Sequence, residues 1–194
     1  MNTITLNGTP RTELGKERVK QYRKKELVPC SLYGGGESIH FTIPLKELKP
    51  IIYTAEVFLI DLTINNTTHK CIAKGLQFHP VFDNLLHVEF VKVPKDKPIQ
   101  VELPVKLIGT SEGVLAGGKL VQKTRLLRVR GLYEKLPVYV EIDISGLKLG
   151  RSLKVGDLNF EDFIIAMAKD VPIASIEIPR ALRQQAAAQQ KAKK

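Results

Sequence analysis

Nothing in this chain runs to eighteen consecutive apolar residues, so no segment reads as a membrane-crossing helix. No basic, apolar, small-residue leader reads as a signal peptide either. The expectation is an intracellular protein that stays out of the membrane. Cysteine is scarce. Cys30 and Cys71 are far apart and in no Cys-x-x-Cys, which excludes a disulfide framework and suggests no zinc site. The four histidines, His40, His69, His79 and His87, fall in no His-Glu-x-x-His and no cysteine-rich spacing. His69-x-Cys71 comes closest to a metal pair, and further ligands are missing. The reading is a non-enzyme with no cofactor, no metal and no small-molecule substrate; a β-barrel hydrolase lacks any catalytic constellation to support it.

What is present begins with charge. The 194 residues are 43% hydrophobic and 26% charged, ordinary for a globular protein of one or two domains, yet the net charge is +10 and the pI about 9.6. That balance favours an anionic partner, nucleic acid first. The charge is concentrated in two places. Arg11–Lys25 holds seven basic residues against Glu13 and Glu17, or +5. Residues 181–194 hold four basic residues and no acidic ones.

Lys16–Lys25 has neither Gly nor Pro and reads as a helix of about three turns. At about 100° per residue, Lys16, Lys20 and Arg23 fall within roughly 60° of one another, with Val19 and Tyr22 on a neighbouring side as the packing seam. Val28-Pro29 is expected to end that helix, because a residue before proline is pushed out of helical conformation. Cys30–Tyr33 then reads as a strand and Gly34-Gly35-Gly36 as a turn that lets a ligand approach the backbone. A solvated basic helix followed by a hairpin turn is the plain alternative.

Alternation predicts strands at Asn2–Asn7 and Ile39–Ile43; the strongly apolar Val57–Ile64 reads as a buried strand, Pro44–Ile52 as a short helix with Leu45, Leu48 and Ile52 on one side, and Asn65-Asn66 as a hairpin turn. Two more strands flank the turn His79–Asn84. In the second, Leu86, Val88 and Phe90 point one way while His87 and Glu89 point the other, with Gln77 brought near that outer face. Gln, His and a carboxylate on one sheet face offer directional hydrogen bonds that can reach base edges and 2′-hydroxyls in the wide minor groove of RNA. On spacing alone, His79 reads as a turn residue and His87 and Glu89 as an exposed strand pair.

Four motifs occur in order: Arg11-x3-Gly15-Lys16, Val28-Pro29-x3-Tyr33-Gly34, Gln77-x-His79-Pro80 and His87-x-Glu89-Phe90. In this ordered set the chain resembles the bacterial large-subunit ribosomal protein twenty-five family, which binds 5S ribosomal RNA. With about a hundred further residues it resembles the long, two-domain form, the Ctc or general stress protein subfamily. The resemblance implies a small β-barrel with one or two short helices docked on the loop E region of 5S RNA. It implies RNA-facing roles for Arg11, Gly15, Lys16, Lys20, Arg23, Tyr33, Gln77, His87 and Glu89, and a cytoplasmic, ribosome-associated protein. Three positions depart from the family: Gln21 stands where a second basic residue is frequent, Glu89 where Asp is usual, and Cys30 where a small apolar residue is usual.

The second half reads as a separate module, residues 95–180, after a first domain of residues 1–94. Pro94–Pro98 is a charged linker. Strands are expected at Ile99–Leu107, in Lys119–Arg130, at Val138–Ile144, at Val155–Phe160 and at Val171–Ile178, with a glycine-rich loop at Gly109–Gly118, so the module is all-β. Arg125, Arg128 and Arg130 read as a solvated strand face balanced by acids. Residues 181–194 are expected to be a disordered or frayed-helix basic tail. The whole is a mainly β protein. Two functions are carried: a structural constituent of the large subunit holding 5S RNA, with the second module meeting neighbouring subunit proteins or RNA, or a stress-related factor whose second module binds another protein.

Overall fold

The computed structural model describes residues 1–179 apart from 14, 37, 95 and 96, so the tail and the centre of the linker lie outside the described residues. Two compact units emerge. The first is Met1–Val101 with Gly131–Val138; the second is Glu102–Arg130 with the described residues from Tyr139 on.

The first unit is a closed six-stranded barrel. Its elements are β1 (Asn2–Pro10), α1 (Lys16–Lys24), β2 (Leu27–Tyr33), β3 (Ile39–Pro44), α2 (Leu45–Ile52), β4 (Phe58–Ile64), β5 (Thr67–Phe78) and β6 (Leu85–Lys92). The order around the barrel is β1-β3-β2-β6-β5-β4. Two parallel seams sit among antiparallel neighbours. β1 lies along β4 from Asn2 opposite Phe58 to Gly8 opposite Ile64, and β2 lies along β6 from Cys30 opposite Val88 to Tyr33 opposite Val91. Closure leaves no sheet edge in this unit, which removes the edge-pairing hazard of an open sheet.

Alternation explains the core. Leu6, Val28, Cys30, Leu32, Phe41, Ile43, Ile60, Leu62, Ile64, Cys71, Val88 and Phe90 point inward, and the Phe41 and Phe90 rings meet with centroids 5.7 Å apart. Gly8 makes room for Phe41: a Cβ there would stand 2.7 Å from Phe41 Cδ2. Asn65 and Asn66 turn the β4–β5 hairpin with φ of 48° and 61°, the left-handed pair that a tight primed turn requires.

Three expectations shift. The helix α1 stops at Lys24, four residues before Val28, because Glu26 takes a left-handed φ of 58° and β2 starts at Leu27. Pro29 therefore lies inside a strand instead of ending a helix. In β6 the core takes Leu85, Val88 and Phe90 instead of Leu86, because the β5–β6 register slips between Gln77 and Phe78. In α2 the fully buried residues are Leu48 and Ile51, with Leu45 and Ile52 only partly covered.

The second unit is built from two sheets, β10-β7-β9-β12 and β11-β13-β8. The strands are β7 (Ile99–Ile108), β8 (Lys119–Gln122), β9 (Leu126–Gly131), β10 (Val140–Asp143), β11 (Ser152–Lys154), β12 (Phe163–Ile165) and β13 (Pro172–Glu177). Val155–Phe160, expected as a strand, begins instead with a 3₁₀ turn over Val155–Asp157, where the Asp157 carboxylate accepts from the Lys154 backbone N–H at 2.9 Å. The glycine-rich loop contains a short helix, α3 (Glu112–Leu115), whose first turn is capped by Ser111. Four ion pairs lie in this half of the chain: Arg128 with Glu102 at 3.0 Å, Lys106 with Glu141 at 4.0 Å, Lys123 with Glu177 at 2.8 Å and Lys154 with Asp170 at 3.4 Å.

Burial pushes the thiols of Cys30 and Cys71 up to about 12, with the Arg11 charge opposing it at Cys30 and the Asp61 charge adding to it at Cys71. A thiol held at about 12 when folded and about 9 when unfolded loses its proton first from the unfolded chain. The stability it contributes is full below the unfolded value and is lost as pH climbs toward the folded one. Urea midpoints measured as pH rises above that unfolded value are therefore expected to fall less steeply in Cys30→Ala/Cys71→Ala than in the wild type. Equal slopes would mean that the thiols are not linked to alkaline unfolding.

Candidate nucleic-acid interface

The helix α1 carries the basic run on a nearly free cylinder. None of its residues is fully buried, and Val19 and Tyr22 are the two that are partly covered, as a packing seam requires. Gly15 precedes it with φ 147° and ψ 158°, a conformation that favours glycine, and no side chain caps the first turn. Among the described residues the opening N–H groups of the helix thus meet no capping side chain, next to Lys16.

The basic residues do not act alike. Arg18 pairs with Glu13 at 2.7 Å and reaches Gln21 Oε1 at 3.4 Å. Arg23 turns back to the barrel, where Nη2 and Nε donate to the Leu86 carbonyl at 2.9 and 3.2 Å. This fork ties the last turn of α1 to the start of β6. Among the described residues Lys16 and Lys20 have no ion-pair partner. Arg11 is half-buried, its backbone N–H donates to the His40 carbonyl at 3.0 Å, and its Nε is covered without a partner among the described residues.

Beside the helix lies the outer face of three adjacent strands, β2, β6 and β5. Parallel register puts Ser31 opposite Glu89 and Tyr33 opposite Val91, while antiparallel register puts Gln77 opposite His87 and Gly75 opposite Glu89. Ser31, Tyr33, His87, Glu89 and Gln77 therefore share one face, which is what strand alternation predicts for the last three. Gln77 Nε2 donates to Glu89 Oε1 at 3.5 Å. Partial burial raises the Tyr33 hydroxyl above its ordinary value, and the Glu89 charge adds to that.

His87 is held on both ring nitrogens. The Pro29 carbonyl can only accept, so His87 Nδ1 carries a proton and donates to it at 2.7 Å. On the other side of the ring Nε2 lies 3.2 Å from Ser31 Oγ, within hydrogen-bond reach of that hydroxyl. The β2–β6 ladder begins at Cys30, one residue past Pro29. The imidazole thus extends the seam one step beyond the backbone ladder.

His79 is the turn residue of the β5–β6 loop. Its Nδ1 accepts from the N–H groups of Val81 and Phe82 at 3.2 and 3.3 Å, and its ring lies 4.9 Å from that of Phe82. Gly34 and Gly36 take positive φ, so the triple-glycine turn beyond Tyr33 uses conformations closed to most residues.

Sequence reasoning passed over Ser31 and Gly75. Ser31 was legible as the residue two before Tyr33 on an alternating strand, and Gly75 as a glycine inside a strand pattern. Sequence reasoning also counted no Gly-x-Ser-x-Gly, wrongly: Gly109-Thr110-Ser111-Glu112-Gly113 has that spacing and lies between a strand and a helix. Ser111 is fully buried there, its Oγ accepting from Val114 N–H at 3.1 Å, and the four histidines all fall between residues 40 and 87. Ser111 serves as a buried helix cap, and its unit holds no histidine for a serine–histidine pair. Among the described residues no group of three or more His, Cys, Asp or Glu is arranged to hold a metal ion.

Comparison with known proteins adds a family. Residues 6–90 match the Ribosomal L25p family, and residues 98–180 match the family described as Ribosomal protein TL5, C-terminal domain. The chain is 42% identical over 185 residues to the large ribosomal subunit protein bL25 of Porphyromonas gingivalis, covering 94% of this chain and 96% of that protein. It is 42% identical over 193 residues to the bL25 of Bacteroides thetaiotaomicron, covering 97% and 98% respectively.

The differing commitments of the cations have a measurable consequence. Arg23→Ala is expected to lower the unfolding free energy by about 1 kcal/mol, since a guanidinium–carbonyl fork is lost at an exposed site. Lys16→Ala and Lys20→Ala are expected to stay within about 0.5 kcal/mol of wild type. Urea denaturation of the three variants checks this; equal effects would mean that Arg23 is no anchor.

Proposed function

The chain belongs to the bacterial bL25 family of large ribosomal subunit proteins, in its long, two-module form, and from that membership we propose that its barrel unit grips 5S ribosomal RNA as a structural constituent of the large subunit. The observation that carries the reading is the contiguity of two unlike surfaces. The Arg23 fork to Leu86 sets a basic helix beside the face that bears His87, Glu89 and Gln77. The helix supplies charge and the face supplies direction.

Each surface has its own task. Lys16 and Lys20 lie against phosphates, with Arg11 and the open N–H groups after Gly15 adding to that contact. Phosphate contacts position a protein on RNA and carry no sequence information. Tyr33, Gln77, His87 and Glu89 add no cation when His87 is neutral, so their contribution is hydrogen bonding and stacking in a groove of particular shape. Glu89 near phosphates is unfavourable unless it accepts from a base amino group or another fixed donor, which makes it a residue of specificity. Arg23 anchors the helix and adds its charge to the same stripe.

The concentrated basic run of Arg11–Lys25 favours the first unit as the RNA grip. Residues 95–180 act as a second module that meets neighbouring large-subunit proteins or RNA, after a 5S-binding domain of residues 1–94. The protein works in the cytoplasm on the ribosome, and no helix among the described residues is long and apolar enough to cross a membrane. It performs no chemistry.

Titration of the chain with 5S RNA and with an unrelated duplex of equal length, at several salt concentrations, tests the division of labour. Lys16→Ala/Lys20→Ala is expected to weaken binding to both RNAs and to reduce the log–log salt slope by roughly one unit per lost contact. Gln77→Ala is expected to cost about 1–3 kcal/mol on 5S RNA and almost nothing on the duplex, with the slope unchanged. Equal losses on both RNAs for Gln77→Ala would remove the sheet face from recognition.

A further inference from the structure

We infer that Gly75 is a positioning residue for Glu89: the side chain missing from β5 is the space in which the Glu89 carboxylate lies, and its absence sets where that carboxylate is presented to RNA. The inference rests on the reading of Glu89 as a contact to 5S RNA and goes beyond it, because it assigns the aim of that group to a residue that itself offers no contact.

Gly75 and Glu89 are direct partners in the β5–β6 ladder, so their side chains would leave the sheet on the same face. The register is irregular between Ala73 and Gly75, which sets Lys74 apart from the ladder as an extra residue. Glu89 folds over the position left vacant. A Cβ on residue 75 would stand 2.9 Å from Glu89 Oε2, 3.2 Å from its Cδ and 3.3 Å from its Cβ. The carboxylate oxygen and carbon and the Cβ of Glu89 thus all crowd the place of the missing methyl. From there Oε1 faces the Gln77 amide at 3.5 Å, and the carboxylate is close enough to Tyr33 to raise the hydroxyl above its ordinary value.

Backbone conformation does not demand glycine at this position. Gly75 is absent from the residues with positive φ, so alanine is allowed there by the main chain. A Gly75→Ala change therefore acts through the space that Glu89 uses. It adds no charge and removes no hydrogen-bonding group. It moves a carboxylate already tethered to Gln77, and a displacement at that tether is what a base contact registers.

Four full-length proteins decide the matter: wild type, Gly75→Ala, Glu89→Ala and the double variant, each titrated with 5S RNA and with an unrelated duplex. Gly75→Ala is expected to weaken 5S binding about fivefold, the scale of one misdirected hydrogen bond, and to leave duplex binding and the salt slope as in wild type. In the Glu89→Ala background it is expected to change nothing further. The side-chain amide resonances of Gln77, read on the free proteins, are expected to move in Gly75→Ala toward their positions in Glu89→Ala. Wild-type affinity in Gly75→Ala beside a weakened Glu89→Ala overturns the inference and leaves the RNA role of Glu89 intact. Losses that add in the double variant overturn it as well, as do Gln77 resonances that stay in place. Wild-type affinity in Glu89→Ala overturns the RNA reading of that residue and the inference with it.

Discussion

Parallel pairing of β2 with β6 is the constraint on which the candidate interface depends. Without it Ser31 and Tyr33 would not share a face with His87 and Glu89, since the strands are more than fifty residues apart in sequence. A parallel pair needs a long crossover in place of a tight turn. Here the chain between the two strands builds β3, α2, β4 and β5, so closing the barrel and assembling the face are one event. The seam is finished by a side chain. His87 reaches the Pro29 carbonyl just before the ladder starts, and Ser31 fixes the opposite side of the ring. Arg23 then fastens α1 to the carbonyl of Leu86, one residue from His87. Helix, seam and face thus meet within a few residues of β6.

Much of this was legible from local patterns. Alternation located strands such as β1 and β3, and an apolar run located β4. The Asn65-Asn66 turn was legible because two residues at positive φ are what those side chains tolerate. Gln77, His87 and Glu89 fell on one face as period two requires. What failed depended on tertiary context. Pro29 looks like a helix terminator, yet it sits in a strand, where a histidine from another strand takes its carbonyl. Leu85 replaces Leu86 in the core because the register slips at the end of β5, and only the pairing of two strands reveals that. Lys16, Lys20 and Arg23 form one row on a helical wheel, and no wheel says that Arg23 bends back to a distant carbonyl. The four-residue helix after Ser111 is too short for periodicity to register.

The two units differ in how they treat charge. In the second, four cations stand beside carboxylates in exposed pairs, which add little stability at a surface. In the first, α1 keeps Lys16 and Lys20 without ion-pair partners among the described residues. Next to them the sheet presents a carboxylate instead of more cations. A uniformly basic surface would hold any RNA. A basic stripe edged by Glu89, Gln77 and Tyr33 can discriminate, because a misfitting groove leaves buried polar groups without partners.

The most direct test of the central claim is amide chemical-shift mapping of the full chain during titration with 5S ribosomal RNA. The account predicts that the largest perturbations fall on Gly15–Arg23, on Ser31–Gly34 and on residues 75–77 and 87–89, with the strands of the second unit nearly unmoved. Perturbations centred on β7, β9 and β10, or spread evenly over all basic residues, would contradict it.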